Sequence, residues 1–333
     1  MNGYNIIVNS FFTGVIFCLL TGMYAVPGFA QEAVKNYSRF TGVAYLNSTE
    51  LLVLRKMEKR GELTYLAVNP QTLTTQLIAA TTAKVVPMDW GTAQAHFKAT
   101  PYFSALAAAG KEAIALQDAG ITHGFPKEKG ITLTIDLCPS HKPLDRIIFT
   151  DLVAAFKKSA QPVPVALSIT GRWMLTHADD LTWLKELVRR KEIDITWTNH
   201  SYNHHFSPTV PLKTNFLLEP GTDMNFEILG TELAMLQHGL LPSIFFRFPG
   251  LVSDQQVVDK VLAYGIIPVG SDAWLAKGQN AAAGSIVLIH GNGNEPVGVA
   301  DFIQLIKSKS DLITNRQWTL YDLRESVEDK FQK

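Results

Sequence analysis

From Ile131 onward the chain alternates short, almost wholly apolar runs with longer amphipathic segments. The runs are Ile131 to Asp136, Val163 to Ile169, Ile193 to Thr198, Ser243 to Phe246, Ile266 to Val269 and Ser285 to Ile289, while Leu144 to Lys158 and Ala178 to Arg190 carry helical spacing. Strands without a polar face are covered on both sides, and helical crossovers between parallel strands supply that cover. The pattern therefore predicts an α/β fold with a mainly parallel sheet, open or closed into a barrel. In either form the chemistry sits at the carboxyl ends of the strands.

The preceding stretch has a different character. Between about Gln31 and Ala83, Leu51 to Lys56, Leu63 to Val68 and Leu73 to Ala79 read as strands, with a turn at Asn69-Pro70-Gln71. Thr92 to Ala119 reads as one or two helices interrupted at Pro101. This predicts a small α+β region over residues 31–120, ahead of a larger domain over residues 121–333. It contains no chemical motif, and partner docking or glycan presentation would suit it.

Charge and cysteine content exclude several classes. Thirty basic side chains balance thirty acidic ones, so no broad basic field attracts nucleic acid, and 47% hydrophobic residues suffice for a substantial core. Residues 1–30 contain no Asp, Glu, Lys or Arg, and Ile6 to Leu20 is mostly apolar before Pro27-Gly28-Phe29-Ala30. That reads as a secretory signal cleaved before Gln31, too short for a spanning helix. The expected protein is exported, periplasmic rather than extracellular, with no stable membrane insertion. Of the cysteines, Cys18 leaves with the signal, and Cys138 is expected to be a buried small hydrophobe. No oligomeric state is specified by these features.

Five strand ends finish in groups that chemistry can use. They are Asp136; Asn199-His200-Ser201-Tyr202-Asn203-His204; Arg247-Phe248-Pro249-Gly250; Asp272 with Trp274; and His290. His200 and His204 stand at a spacing that places both imidazoles on one face of a helical turn, a metal-ligand arrangement. Asp145, His123, His177 and His238 match no motif and are expected at the surface. Gly291-Asn292-Gly293-Asn294 reads first as a turn.

This ordered series resembles the polysaccharide deacetylase family, the NodB-homology domain of carbohydrate esterase family 4. Leu133-Thr134-Ile135-Asp136 with Pro139-Ser140 is similar to its first motif, His200 and His204 to its second, Arg247-Phe248-Pro249-Gly250 to its third, Asp272 with Trp274 to its fourth, and Ile286 to His290 to its fifth. The resemblance implies a distorted (β/α) barrel that removes acetyl groups from an N-acetylated glycan with a divalent metal, zinc first and cobalt or nickel as alternatives. It implies His200 and His204 as metal ligands, Asp136 as base or ligand, and His290 as proton donor. Arg247 would pair with Asp136, and Asp272 would orient His290. Trp274, Leu288, Phe248 and Gly250 would contact substrate.

One departure stands out. The family's first motif has two successive acids, but Leu137 follows Asp136 and binds no metal. Four alternatives stay open: Asp136 is itself a ligand; His141, Asp145 or His205 completes the shell; Cys138 coordinates; or the domain binds sugar without hydrolysing it. A smaller departure is Gly250 in place of the usual aromatic after Pro249.

Overall fold

The computed structural model describes residues 33–111, 116–124 and 129–331. The apolar leader read in residues 1–30 lies outside them, and no helix among the described residues is long and apolar enough to cross a membrane.

The first elements are β1 (Val34–Leu46), β2 (Thr49–Lys59), β3 (Glu62–Val68), β4 (Thr75–Ala79), β5 (Lys84–Pro87), α1 (Trp90–Phe97) and α2 (Pro101–Lys111). The strands form an antiparallel sheet in the order β4-β3-β2-β1-β5. Asp89 caps α1 by accepting from the Thr92 amide, and Pro101 opens α2, so the helical stretch divides where the proline requires. The sequence pattern locates β2 to β4 but not β1. Its first half is polar, with Lys35, Asn36, Ser38 and Arg39, and two register shifts break its alternation.

The larger sheet follows, from β6 (Gly130–Leu137), α3 (Ile147–Phe156), β7 (Val163–Ile169), α4 (Gly171–Thr176), α5 (Ala178–Arg189) and β8 (Ile193–Asn199). A π-helical turn (Phe226–Gly230) leads into α6 (Thr231–Gln237), then β9 (Pro242–Phe246), α7 (Gln255–Ala263), β10 (Ile267–Pro268), β11 (Ala273–Trp274) and β12 (Ile286–His290). The chain ends in α8 (Pro296–Ser308), α9 (Ser310–Thr314), β13 (Thr319–Leu320) and α10 (Leu323–Phe331). Strand order is β10-β9-β8-β7-β6-β12-β11, every pair parallel, with β13 also paired to β6. This incomplete parallel barrel is the fold that the alternating pattern predicts.

Pleat and register place the site. Leu133, Ile135 and Leu137 of β6 join Val287 and Ile289 of β12 in the core that also takes Ile148, Leu152 and Phe302 from the helices. Thr134 and Asp136 point to the other face, since successive side chains alternate. Asp136 is the register partner of His290 on one side and of Ser168 on the other, and Ile169 pairs with Asn199. The polar strand ends therefore lie abreast at one rim.

The antiparallel sheet shares a core with the barrel: Val43, Leu52 and Val68 pack with Ile244, Phe245 and Ile267. A buried ionic clamp adds to this. Arg55 of β2 donates from Nε and Nη2 to the two carboxylate oxygens of Glu232 in α6, at 2.7 and 2.9 Å, and from Nη1 to the Tyr264 carbonyl at 2.7 Å. Tyr37 donates to the same carboxylate at 2.7 Å. Both charges are about 1% exposed, so removing one strands the other in a medium that cannot solvate it.

Arg55→Met is expected to lower the unfolding free energy by about 3 to 5 kcal/mol in urea titrations, with Arg55→Met and Glu232→Leu together recovering much of the loss. A single change within about 1 kcal/mol of wild type would show the clamp to be no stronger than a surface pair.

Candidate metal centre and cleft

Residues at the ends of β6, β8, β9, β11 and β12 contribute to a cleft of about 860 Å³ whose lining includes Cys138, His204, Gly250, Trp274, His290 and Glu295. Beside it, Cys138, His200 and His204 each turn one ligand atom inward, all within 4.8 Å of one another. Cys138 Sγ lies 3.6 Å from His200 Nε2, and Asp136 Oδ2 lies 3.7 Å from the same nitrogen. His200 Nδ1 donates to the Arg247 carbonyl at 2.8 Å, which leaves Nε2 with its lone pair facing the cluster.

His200 and His204 converge as their spacing predicts, with ring centroids 4.8 Å apart, but not through a helix. Residues 200–204 form a loop in which Ser201 and His204 take left-handed backbone angles, φ 67° and 47°. The loop is fastened instead by side chains: Asn199 Oδ1 accepts from the Ser201 amide, and Asn199 Nδ2 donates to the Ile228 carbonyl, each at 3.0 Å.

Cys138, not Leu137, turns its ligand atom toward the two histidines. Leu137 is fully buried among Ile135, Ile148 and Ile169, on the helix-covered side of the sheet. Cys138, two residues beyond Asp136, returns to the inner side. The Asn292 side chain fixes it there by donating to the Cys138 carbonyl at 2.7 Å. Burial alone would push its thiol up; the neighbouring His204 and His290 charges and the His200 contact outweigh burial and hold it well below the usual thiol range.

The donor set suits a borderline-soft divalent ion. One sulfur and two imidazoles are a zinc-like combination that leaves a position open. His204 Nε2 and Asp136 Oδ1 are buried without a hydrogen-bond partner, the state of groups shaped to face a cation. Of the other candidate ligands, Asp145 accepts from the Gly293 amide and His205 pairs with Glu219 at 2.7 Å. Neither they nor His141 belong to the cluster.

Several expected pairings take another form. Asp272 does not orient His290: its carboxylate meets His123 Nδ1 at 2.6 Å and accepts from the Ile286 amide. His290 is held by Glu295, whose Oε2 lies 2.8 Å from Nδ1 and also accepts from Trp274 Nε1 at 2.8 Å. Burial would lower the His290 imidazole, but the Cys138 thiolate, Glu295 and Asp136 keep it well above its ordinary value. Arg247, fully buried, makes no ion pair with Asp136 within 4.0 Å; its Nη2 donates to Thr134 Oγ1 at 2.9 Å. Its Nε and Nη1 have no hydrogen-bond partner, so the two groups meet only through their fields.

The apolar residues also separate. Trp274 lines the cleft, with the Lys277 ammonium 3.5 Å from its ring centre, and Leu288 packs beneath it with Leu251. Phe248 is 1% exposed in a core with Phe246 and Val258, so it supports the rim instead of lining it. Gly250 does line the cleft at φ 59°, where a Cβ would come within 2.6 Å of the Phe216 ring. His177, expected at the surface, is buried and stacked on Trp173.

Cys138 had a signal in the sequence, the strand period of two counted from Asp136. Glu295 had none, because a Gly-Asn turn separates it from His290. Leu137→Asp is expected to destabilise the fold by about 3 kcal/mol or more, since the carboxylate enters an apolar core. Zinc affinity, measured by chelator competition on the folded fraction, should stay unchanged. A marked gain in affinity would mean that position 137 reaches the metal.

No protein-family model matches the chain. In structure it is similar to a family 4 carbohydrate esterase from Bacillus anthracis, at 19% identity over 68% of this chain and 92% of that one, with TM-score 0.48. It is also similar to a family 4 carbohydrate esterase from Bacillus subtilis (17% identity, 63% and 85% covered, TM-score 0.44) and to a pseudoenzyme of the same family from Bacillus anthracis (16%, 63% and 69%, TM-score 0.43).

Proposed function

We propose that the chain is an exported, metal-dependent hydrolase of the polysaccharide deacetylase kind, removing N-acetyl groups from an envelope or other polysaccharide. The observation that carries this reading is the convergence of Cys138, His200 and His204 beside a cleft lined by a Glu295-bound His290, with Asp136 Oδ2 3.7 Å from His200 Nε2. The metal ligands are Cys138, His200 and His204, with Asp136 as the adjacent base.

A bound divalent ion, zinc by the donor set, would supply Lewis acidity that polarises an acetamide carbonyl and makes water more acidic. Asp136, 2% exposed and with Oδ1 lacking a partner, is placed to accept the proton of the attacking water. His290 donates a proton to the departing amine, which cannot leave as an anion; Glu295 fixes the ring and favours its protonated form. Trp274 and Gly250 form the wall and the opening at which the sugar enters. A neutral chain suits an uncharged glycan.

Acetate release from N-acetylglucosamine oligomers by the zinc-loaded protein tests the proposal. Asp136→Asn, His200→Ala and His290→Ala should each lower kcat/KM by about 100-fold or more. Wild-type turnover no faster than these variants, with added Zn²⁺, Co²⁺ or Ni²⁺, would leave a silent sugar-binding domain.

A further inference from the structure

Glu227 lies in the π-helical turn before α6, far in sequence from every motif, and is 6% exposed at the edge of the cleft. Its carboxylate spends all its visible hydrogen bonding on the loop between the two histidines. Oε2 accepts from the backbone amides of Tyr202 and Asn203 at 2.8 and 2.9 Å, and Oε1 accepts from the Asn203 side chain at 2.6 Å.

That loop needs an external hold. Ser201 and His204 both sit in the left-handed region, which is unfavourable for a non-glycine residue. The His200 amide still donates to the β7 carbonyl of Ile169 and the Ser201 amide to Asn199 Oδ1, but beyond them no helix or strand takes the amides of Tyr202 and Asn203. The loop's carbonyls are met from another side, where the Gly171 and Arg172 amides at the start of α4 donate to Ser201 and Tyr202. The amides turn the other way and find Glu227. A carboxylate is the group for this task, because one acceptor oxygen can take two converging N–H donors.

The turn that carries Glu227 is tied to the same loop a second time. Asn199 Nδ2 donates to the Ile228 carbonyl, and the Tyr202 and Phe226 rings pack with centroids 4.6 Å apart. Thr231 Oγ1 returns a hydrogen bond to the Glu227 carbonyl at 2.8 Å, steadying the π-turn. Such turns recur at functional sites.

We propose that Glu227 is a positioning residue for the metal centre, holding the 200–204 loop so that His204 stays within ligand distance of Cys138 and His200. The proposal rests on the metal-site reading above, and it acts through backbone hydrogen bonds, not through contact with substrate.

The full chain carrying Glu227→Ala or Glu227→Gln tests it with two readouts. In chelator competition, Glu227→Ala should weaken Zn²⁺ binding by about 10- to 100-fold, while Glu227→Gln, which keeps an acceptor for the amides, should recover most of that loss. In metal-free protein, hydrogen exchange should show lost protection at the Tyr202 and Asn203 amides in Glu227→Ala, with other amides and the melting temperature little changed. Unaltered zinc affinity in Glu227→Ala, or unaltered protection of those two amides, would overturn the proposal. If wild type itself binds no zinc, the metal-site reading fails, and the exchange measurement still decides whether Glu227 holds the loop.

Discussion

The pleat of β6 is the constraint on which the rest depends. A strand between two parallel neighbours sends alternate side chains to opposite faces, and the hydrogen-bonded register forbids any one residue from choosing. Leu133, Ile135 and Leu137 thereby fill the helix-covered core, and Thr134, Asp136 and Cys138 are left for the inner side. Exchanging the faces would put a carboxylate into the helix-covered apolar core and turn three large apolar groups toward the polar rim. The same register sets His290 beside Asp136.

Much of the fold was legible because its strands are buried on both faces. Val163 to Ile169 and the runs around Ile193 and Pro242 show as apolar segments whatever surrounds them. β1 was not legible: its polar first half reads as loop, and only its partners β2 and β5 make it a strand. The site divides along similar lines. Strand-end residues such as Asp136, His200 and His290 could be found by reading each apolar run to its polar stop. Groups delivered by loops leave no such mark: Glu295, not Asp272, holds His290, and Glu227 reaches the histidine loop from a π-turn that no strand end announces. Cys138 stands between these cases: two residues beyond Asp136 it reads most simply as packing, while the strand period returns it to the inner side with Asp136.

The antiparallel sheet contributes to the site indirectly. Its Arg55 and Tyr37 converge on Glu232, which belongs to α6, the helix that continues the π-turn bearing Glu227. A buried charge pair is weak evidence of net stability, since desolvation offsets much of its attraction. Its geometry is specific, however, and it fixes the register of α6 against the sheet. The apolar contacts of Val43, Leu52 and Val68 with Ile244 and Phe245 supply the bulk of the attachment.

The central claim is that Cys138 completes a metal site with His200 and His204. Zinc-edge X-ray absorption on the zinc-loaded full chain tests it directly. The account predicts one sulfur ligand at about 2.3 Å together with nitrogen ligands near 2.0 Å, the sulfur disappearing in Cys138→Ala. A shell of nitrogen and oxygen alone in the wild-type protein would contradict it.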